Sequence, residues 1–253
     1  MIIPGLTSIT FRSLTAQQII KQVSQAGLNA IEWGGDKHVP HGDTKLAAQI
    51  RRQTEEAGLE LPSYGAYYRA GEAGGPDFDA VLDSAQALGV GTIRVWAGKQ
   101  SSAQADENYR KTVVDDLSRI ADLAAEAGLV VATEYHANTL TDTIESARQL
   151  LDEADHPGVL TYWQPPNGAS RDHCLQSLES VLDKLANIHV FHWTATADGI
   201  DRRPLSEGID PWDAYLKKAS QTGRKHYALM EFVRNESTDQ FAEDAATLKK
   251  LIP

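Results

Sequence analysis

Short apolar runs alternate along the chain with longer amphipathic stretches. Four of these runs follow a glycine that closes a helix-like segment, at residues 25–33, 56–64, 87–96 and 126–135. Glycine suits a helix C-terminus, because the backbone there turns left-handed and a Cβ would be penalised. Continuous apolar runs such as GLVVATEY are typical of parallel strands buried on both faces. The pattern therefore predicts a series of strand–helix units.

The same alternation predicts further strands at residues 5–11, 156–164, 187–193 and 225–232. The stretch 105–127 carries Val113, Leu117, Ile120 and Ala121 at helical spacing, which predicts a helix with one buried face. Capping-box sequences open two other predicted helices, one at Thr15–Gln18 and one at Ser237–Gln240.

Eight strands alternating with eight helices in 253 residues predict one (β/α)₈ TIM barrel that spans residues 1–253 as a single domain. An open dinucleotide-binding sheet is disfavoured, because no G-x-G-x-x-G follows any predicted strand. The longest gap between elements, residues 194–209, is predicted to be a loop over the mouth of the barrel.

Composition narrows the classes of partner. The net charge of −11 disfavours nucleic acid, whose phosphates such a surface repels. The chain contains no run of 18 apolar residues, so no membrane span is predicted. The N-terminus lacks the basic start of a signal peptide. Cys174 is the single cysteine, which fits a reducing compartment. We therefore expect a cytoplasmic protein, monomeric or homo-oligomeric, with a small-molecule substrate.

Two carboxylates stand inside apolar strands, Glu134 in ATEY and Glu231 in LMEF. Burial of an ionised carboxylate costs several kcal/mol unless the group is paired or bound to a cation. Each could form a salt bridge in the barrel mouth. Because Gln164 and His192 end neighbouring strands, a divalent ion shared by all four is the favoured interpretation. These mainly oxygen donors suit Mn²⁺ or Mg²⁺ best, and Zn²⁺ or Co²⁺ also fit.

Other polar residues near the strand ends have competing interpretations. His136 shares a face with Glu134, or bonds a backbone carbonyl instead. Glu32 could bind substrate or pair with Arg94, and the sequence leaves both open. His189 is expected to point away from the site, towards the helices.

Loop and aromatic residues near the mouth complete the set of candidates. His38 and His41 flank a proline in a loop, where histidines are usually exposed to solvent. Trp96 and Trp163, at strand ends, either shape a sugar pocket or belong to the core.

Several motifs carry a resemblance to a known family, namely RVWAG (94–98), EYHANTLTDT (134–143) and YWQPPNG (162–168). With AIEWGG, VFHW and ALMEF, they make the chain resemble the xylose isomerase-like TIM barrels, which include sugar epimerases, isomerases and dehydratases. The dehydroshikimate dehydratases and certain sugar isomerases look most similar.

The resemblance implies metal ligands at four positions, Glu134, Gln164, His192 and Glu231. Gln164 departs from the family, which usually has an aspartate there. The resemblance also implies substrate contacts from His136, Arg94 and Tyr67, and it gives His38 a counterpart near the second strand. The dehydroshikimate dehydratases carry a lysine two residues beyond the histidine of strand seven, where this chain has Thr194.

Three functions remain open at this point. The first is a metal-dependent isomerase or epimerase of a small polyhydroxylated carbonyl compound. In it, one of Glu134 and Glu231 removes the proton alpha to the carbonyl and the other returns it, while His136 and Arg94 stabilise the enediolate oxygens. The second is a dehydratase in which His136 protonates the departing hydroxyl. The third is a barrel that binds a sugar without turnover, an alternative that Gln164 keeps open.

Overall fold

Eight parallel strands close into a barrel with eight helices around it, as the sequence predicts. The computed structural model describes residues 1–196 and 199–253. Within these ranges the strands are β1 (Ile2–Thr7), β2 (Ala30–Gly34), β3 (Ser63–Arg69), β4 (Thr92–Trp96), β5 (Val130–Glu134), β6 (Val159–Trp163), β7 (Leu185–Val190), β8 (His192–Thr196), β9 (Gly199–Arg203) and β10 (His226–Met230). The barrel closes in the order β1-β10-β7-β6-β5-β4-β3-β2, and β8 pairs with β9 separately.

The helices form the outer layer. They are α1 (Ala16–Ala26), α2 (Thr44–Glu56), α3 (Phe78–Leu88), α4 (Glu107–Glu126), α5 (Ile144–Ala154), α6 (Arg171–Ser180), α7 (Ile209–Ser220) and α8 (Thr238–Leu251). The predicted apolar face of α4 is confirmed, since Val113, Leu117, Ile120 and Ala121 are all buried. Within the described ranges, no helix has the length and apolar character needed to cross a bilayer.

Glycines end the first four helices in the predicted left-handed conformation. Gly27 and Gly89 directly follow α1 and α3 with φ of 67° and 70°. Gly58 and Gly128 follow α2 and α4 by one residue more, with φ of 73° and 74°. The backbone can therefore turn from each helix straight into the next strand.

The core has two parts. The larger part fills the space between the strands and the helices. The smaller part lies inside the barrel, where Ala132, Tyr162 and Leu229 form an apolar cluster. Ionisable residues are also buried within the fold, among them Glu32 and Arg94 at no more than 2% exposure. Their placement creates the candidate site.

Two predicted strands are shifted towards the N-terminus in the structure. Strand β1 covers Ile2–Thr7 rather than residues 5–11, and Ser8–Phe11 instead form a short 3₁₀ helix. Strand β7 covers Leu185–Val190 rather than residues 187–193. The chain leaves the barrel after Val190, and His192 already belongs to β8.

The prediction of a loop at residues 194–209 is wrong. Residues 194–196 and 199–203 belong to the antiparallel strands β8 and β9, and a 3₁₀ helix follows at Leu205–Gly208. Trp193 anchors the hairpin at the barrel mouth by stacking on Phe191 with 4.3 Å between ring centroids. Strand pairing satisfies backbone groups that an open loop would leave to water. Residues 197 and 198 lie outside the described residues.

The capping box of α1 generates a prediction about stability. Thr15 accepts a hydrogen bond from the Gln18 amide, and the Gln18 side chain accepts one from the Thr15 amide. We expect Thr15→Ala to lower the free energy of unfolding by about 1 kcal/mol, because a helix donor loses its acceptor. Urea denaturation followed by circular dichroism measures this. Thr112→Ala, the same change inside α4, should cost less, and equal losses would contradict the capping role.

Candidate active site

Four side chains from neighbouring strands meet at the C-terminal mouth of the barrel. Glu134 ends β5, Gln164 follows β6, His189 lies near the end of β7, and Glu231 follows β10. His189 Nδ1 is 3.1 Å from Gln164 Oε1, 3.5 Å from Glu134 Oε1 and 3.4 Å from Glu231 Oε2. Parallel strands bring their carboxyl ends to one rim, so residues distant in sequence converge here.

The donor set fits a divalent metal ion. One ligand atom from each of Glu134, His189 and Glu231 can be chosen so that all lie within 4.8 Å of one another. An ion with ligand distances of about 2.0–2.3 Å fits among atoms with this spacing. The three carboxylates of Glu32, Glu134 and Glu231 are buried with a single arginine, Arg94. If His189 is neutral, this group has an excess charge of −2, which one divalent cation balances.

The histidine of this group is His189, so the expectation that His189 points towards the helices is wrong. Side chains alternate along β7, and Asn187 already points into the barrel, where its amide donates to Tyr162. His189 has the same parity and is fully buried. His192 was predicted as the ligand, but it begins the hairpin and lies in an adjoining cavity beside Gly208.

Arg94 holds two of the buried carboxylates. Its Nη1 donates to Glu134 Oε2, and its Nε donates to Glu32 Oε1 at 2.9 Å. Gly65 makes room for this guanidinium, since a Cβ there would lie 2.6 Å from Arg94 Nη2. Glu32 therefore pairs with Arg94. Of its two interpretations the structure shows this pairing and not a substrate contact, because the carboxylate is 1% exposed and lies outside the cavity lining.

Burial and neighbouring charges shift the pKa values of the cluster in different directions. Burial alone would raise the pKa of Glu134, but Arg94 and His189 hold it well below its usual range. Burial raises the pKa of Glu231, and the charge of Glu134 adds to the increase. Burial opposes the charged form of His189, yet Glu231, Glu134 and Glu32 raise its pKa to about 10. Without a metal, protonated His189 is therefore a second cation among these acids, beside Arg94.

A cavity of about 400 Å³ opens above the cluster. Its lining includes Tyr67, Arg94, Trp96, His136 and both glutamates of the cluster, all of them predicted site residues. Tyr67 reaches the cavity through an irregularity in β3, where its φ is 55° and the register with β4 shifts. A positive φ is costly for a residue with a side chain, and such strain is common at functional sites.

His136 contacts a backbone carbonyl, as one interpretation predicts, and it also borders the cavity. Its Nδ1 lies 2.7 Å from the carbonyl oxygen of Ala137, and its ring borders the cavity 5.4 Å from Trp96. Since a carbonyl only accepts, Nδ1 carries the proton. Nε2 is then the nitrogen left to exchange a proton with a substrate.

Two predicted substrate contacts lie elsewhere. His38 is buried, with Nδ1 3.0 Å from Ser8 Oγ and Nε2 3.2 Å from the Leu14 carbonyl oxygen, so both nitrogens have structural partners. Trp163 faces the helices, where its indole donates to Ser177 and packs against Tyr215. Neither residue borders the cavity above the cluster, so the predicted substrate contacts are wrong and Trp163 belongs to the core, its alternative interpretation.

The sequence interpretation missed Arg12 and did not single out Asn167 as a candidate, yet both border the cavity. Arg12 donates through Nη1 to Asp36 and through Nη2 to the Tyr67 hydroxyl at 3.2 Å. The one signal in the sequence for Arg12 was its positive charge just beyond the predicted first strand, where side chains reach the barrel mouth. Its partners became clear only when the barrel closed.

Comparison with known proteins places this site in a family. The family model described as "Xylose isomerase-like TIM barrel" matches residues 20–251. A curated 3-dehydroshikimate dehydratase of Bacillus anthracis is 27% identical over 188 residues. That alignment covers 64% of this chain and 66% of the relative, just under two thirds of its length.

Solved structures show the same fold at low sequence identity. The probable 3-DHS dehydratase AsbF of Bacillus anthracis aligns with a TM-score of 0.80 at 20% identity, covering 98% of this chain and 99% of that one. A xylose isomerase-like TIM barrel protein of Mycobacterium smegmatis, in complex with magnesium, gives 0.75 at 15%, covering 98% and 96%. A D-psicose 3-epimerase gives 0.71 at 14%, covering 98% and 97%.

The second prediction tests whether His189, and not His192, is the histidine that binds the metal ion. We expect His189→Ala to weaken Mn²⁺ binding at least tenfold, because the variant loses a nitrogen donor at the centre of the cluster. His192→Ala should bind Mn²⁺ like the unchanged protein. Titration followed by electron paramagnetic resonance measures both affinities, and the reverse order would restore His192 as the ligand.

The raised pKa of His189 generates a prediction about pH. Because that pKa is about 10 without metal, a ligating ion must displace the proton from Nδ1. Mn²⁺ binding should release about one proton per ion between pH 6 and pH 8, and affinity should rise about tenfold per pH unit. Calorimetry in buffers with different ionisation enthalpies counts the protons. Binding heats that do not depend on the buffer would contradict this account.

Proposed function

This chain belongs to the xylose isomerase-like TIM barrel family, and we propose that it is a divalent-metal-dependent isomerase or epimerase of a small polyhydroxylated carbonyl compound. The observation that carries the proposal is the convergence of Glu134, Gln164, His189 and Glu231 beneath a cavity of about 400 Å³. The cavity is lined by carboxylates, aromatic rings and hydrogen-bond donors, a combination that suits a small polar metabolite.

The donor set favours Mn²⁺ or Mg²⁺. Two carboxylates and an amide oxygen supply three hard oxygen donors, with one imidazole nitrogen. Gln164 contributes an oxygen without a charge, so the two glutamates supply the negative charge of the set. When bound, the ion supplies Lewis-acid polarisation of the substrate carbonyl, which acidifies the neighbouring C–H bond.

Glu231 is the better base of the two glutamates. Glu134 Oε2 accepts hydrogen bonds from both Arg94 Nη1 and Trp96 Nε1, which stabilise its charged form. Glu231 borders the same cavity, and its pKa is raised by burial and by Glu134. A base is most effective when its pKa approaches the working pH. We therefore assign removal of the alpha proton to Glu231.

One base is sufficient for isomerisation, because a single carboxylate can move a proton between adjacent carbons on one face of the substrate. Epimerisation needs a donor on the opposite face. His136 is our candidate: as an imidazolium it keeps its Nδ1 proton on the Ala137 carbonyl, delivers its Nε2 proton to the substrate carbon and is left neutral. The proposed site thus keeps two acid–base groups, with His136 in place of Glu134 as the second.

Arg94 and Tyr67 complete the proposed substrate contacts. Arg94 borders the cavity, and its Nη2 is buried with no hydrogen-bond partner among residues 1–196 and 199–253. A substrate oxygen would satisfy this donor. Burial keeps the pKa of Tyr67 well above its usual value, so its hydroxyl stays protonated. Both groups would stabilise negative charge that develops on substrate oxygens.

Dehydration is the second candidate, favoured by the similarity to the dehydroshikimate dehydratase of Bacillus anthracis. The required acid for the leaving hydroxyl would again be His136. With His189 as the strand-seven histidine, the dehydratase lysine falls at Phe191 rather than at Thr194. Phe191 is buried and stacked on Trp193, so neither position offers an amine. This difference leads us to prefer isomerisation.

Proton exchange tests the proposal. Glu231→Gln should slow exchange of the alpha proton of a turned-over sugar in D₂O by about 10²–10⁴-fold, because the base is lost. Nuclear magnetic resonance measures the exchange, and a panel of aldoses, ketoses and keto acids supplies the substrates. Exchange at the unchanged rate would rule out Glu231 as the base.

Absorbance in the ultraviolet separates the two reactions on the same panel. Dehydration beside a carbonyl creates a conjugated product, whereas isomerisation creates none.

Thr194→Ala is the control for the exchange experiment, since this exposed residue lies outside the cavity and its replacement should leave the exchange rate unchanged.

A further inference from the structure

Glu32 is a buried carboxylate that the proposed reaction does not use. It lies on β2, next to β1 and β3 in the barrel, whereas the candidate ligands come from β5, β6, β7 and β10. Its side chain reaches across the interior, where Oε2 accepts a hydrogen bond from Ser63 Oγ at 2.8 Å. A buried charge so far from the ligand strands requires an explanation.

His189 supplies the first part of that explanation. Its Nδ1 faces Gln164, Glu134 and Glu231, and its Nε2 is buried without a hydrogen-bond partner in the described part of the chain. Glu32 Oε1 lies 3.6 Å from this Nε2. A neutral imidazole that binds an ion through Nδ1 carries its proton on Nε2, and that proton needs an acceptor.

Arg94 supplies the second part. The same Glu32 Oε1 accepts a hydrogen bond from Arg94 Nε at 2.9 Å, and Arg94 Nη1 in turn holds Glu134 Oε2. A fixed guanidinium leaves Glu134 Oε1 facing His189 Nδ1 at 3.5 Å. One carboxylate therefore lies behind two of the candidate ligands.

We infer that Glu32 is a positioning residue for a divalent ion: it orients His189 directly and aims Glu134 through Arg94. This inference rests on the metal site of the proposed function. Glu32 itself contacts neither the ion nor the substrate. Partners behind metal ligands fix the orientation and tautomer of the ligands, and their loss typically weakens metal binding 10–100-fold.

Glu32→Gln tests the inference with little change in shape. The amide oxygen can still accept from Arg94, and the amide nitrogen can donate to Ser63, so the change removes mainly the charge. We expect the Kd for Mn²⁺, measured by electron paramagnetic resonance, to rise 10–100-fold. Glu60→Gln is the matched control, since Glu60 bonds Lys225 and Tyr227 near the start of β10, and its Mn²⁺ affinity should not change.

A second readout separates positioning from a general structural role. In protein with ¹⁵N-labelled histidine and bound Mg²⁺, we expect the Nε2–H signal of His189 to be protected from solvent exchange, and Glu32→Gln to weaken that protection. A structural role alone would lower the Tm of the metal-free protein and leave the Mn²⁺ Kd unchanged. Ser63→Ala, which frees one oxygen of Glu32, should raise the Mn²⁺ Kd by less than Glu32→Gln does, and it covers the case in which Glu32→Gln does not fold.

The outcomes distinguish this inference from the proposed function. If the unchanged protein binds no Mn²⁺, the metal site fails, and the role of Glu32 fails with it. If the unchanged protein binds Mn²⁺ and Glu32→Gln binds it equally well, only the positioning role is overturned. Weaker binding by Glu32→Gln with normal binding by Glu60→Gln supports both.

Discussion

The organising constraint of this protein is the cost of burying three carboxylates in one barrel. Glu32, Glu134 and Glu231 are each no more than 5% exposed, and Arg94 is the arginine buried with them. Buried charges of one sign are unfavourable unless cations approach them closely. Arg94 forms ion pairs with Glu32 and Glu134, whereas the charge of Glu231 has only His189 beside it. That remaining imbalance is what makes the cluster suitable for a divalent ion.

The site depends on backbone geometry as well as on charge. Tyr67 and Phe232 both border the cavity with positive φ, 55° and 56°. Such conformations persist only where the surrounding structure enforces them. The hairpin contributes through Trp193, whose ring lies 5.6 Å from Phe232 and forms part of the cavity wall. Strain at two strand ends and a packed hairpin thus shape the space above the carboxylates.

The family match and the candidate metal site both indicate a xylose isomerase-like barrel. They do not select one reaction, since the curated relative is a dehydratase and the site geometry leads us to propose an isomerase or epimerase. The proteins similar to this chain include a 3-dehydroshikimate dehydratase and, by fold alone, a D-psicose 3-epimerase. The barrel interior explains what such enzymes can share, since it places carboxylates and a histidine at one rim. The residues around the cavity include Arg12, His136 and Trp193, a cation, an imidazole and an aromatic ring, in contrast to the carboxylates beneath them. We attribute the choice of substrate and reaction to this rim.

The sequence by itself determined the barrel and three of the four candidate ligands, Glu134, Gln164 and Glu231. Glycine-terminated helices and apolar runs are local signals, and Glu134 and Glu231 stood out because a carboxylate contrasts with the apolar strand around it. Tertiary structure decided between His189 and His192, because only the actual end of β7 at Val190 fixes which side chains point inwards. It also decided that Glu32 pairs with Arg94 and that Trp163 faces the helices. These contacts join residues far apart in sequence, and no local pattern specifies a distance across the barrel.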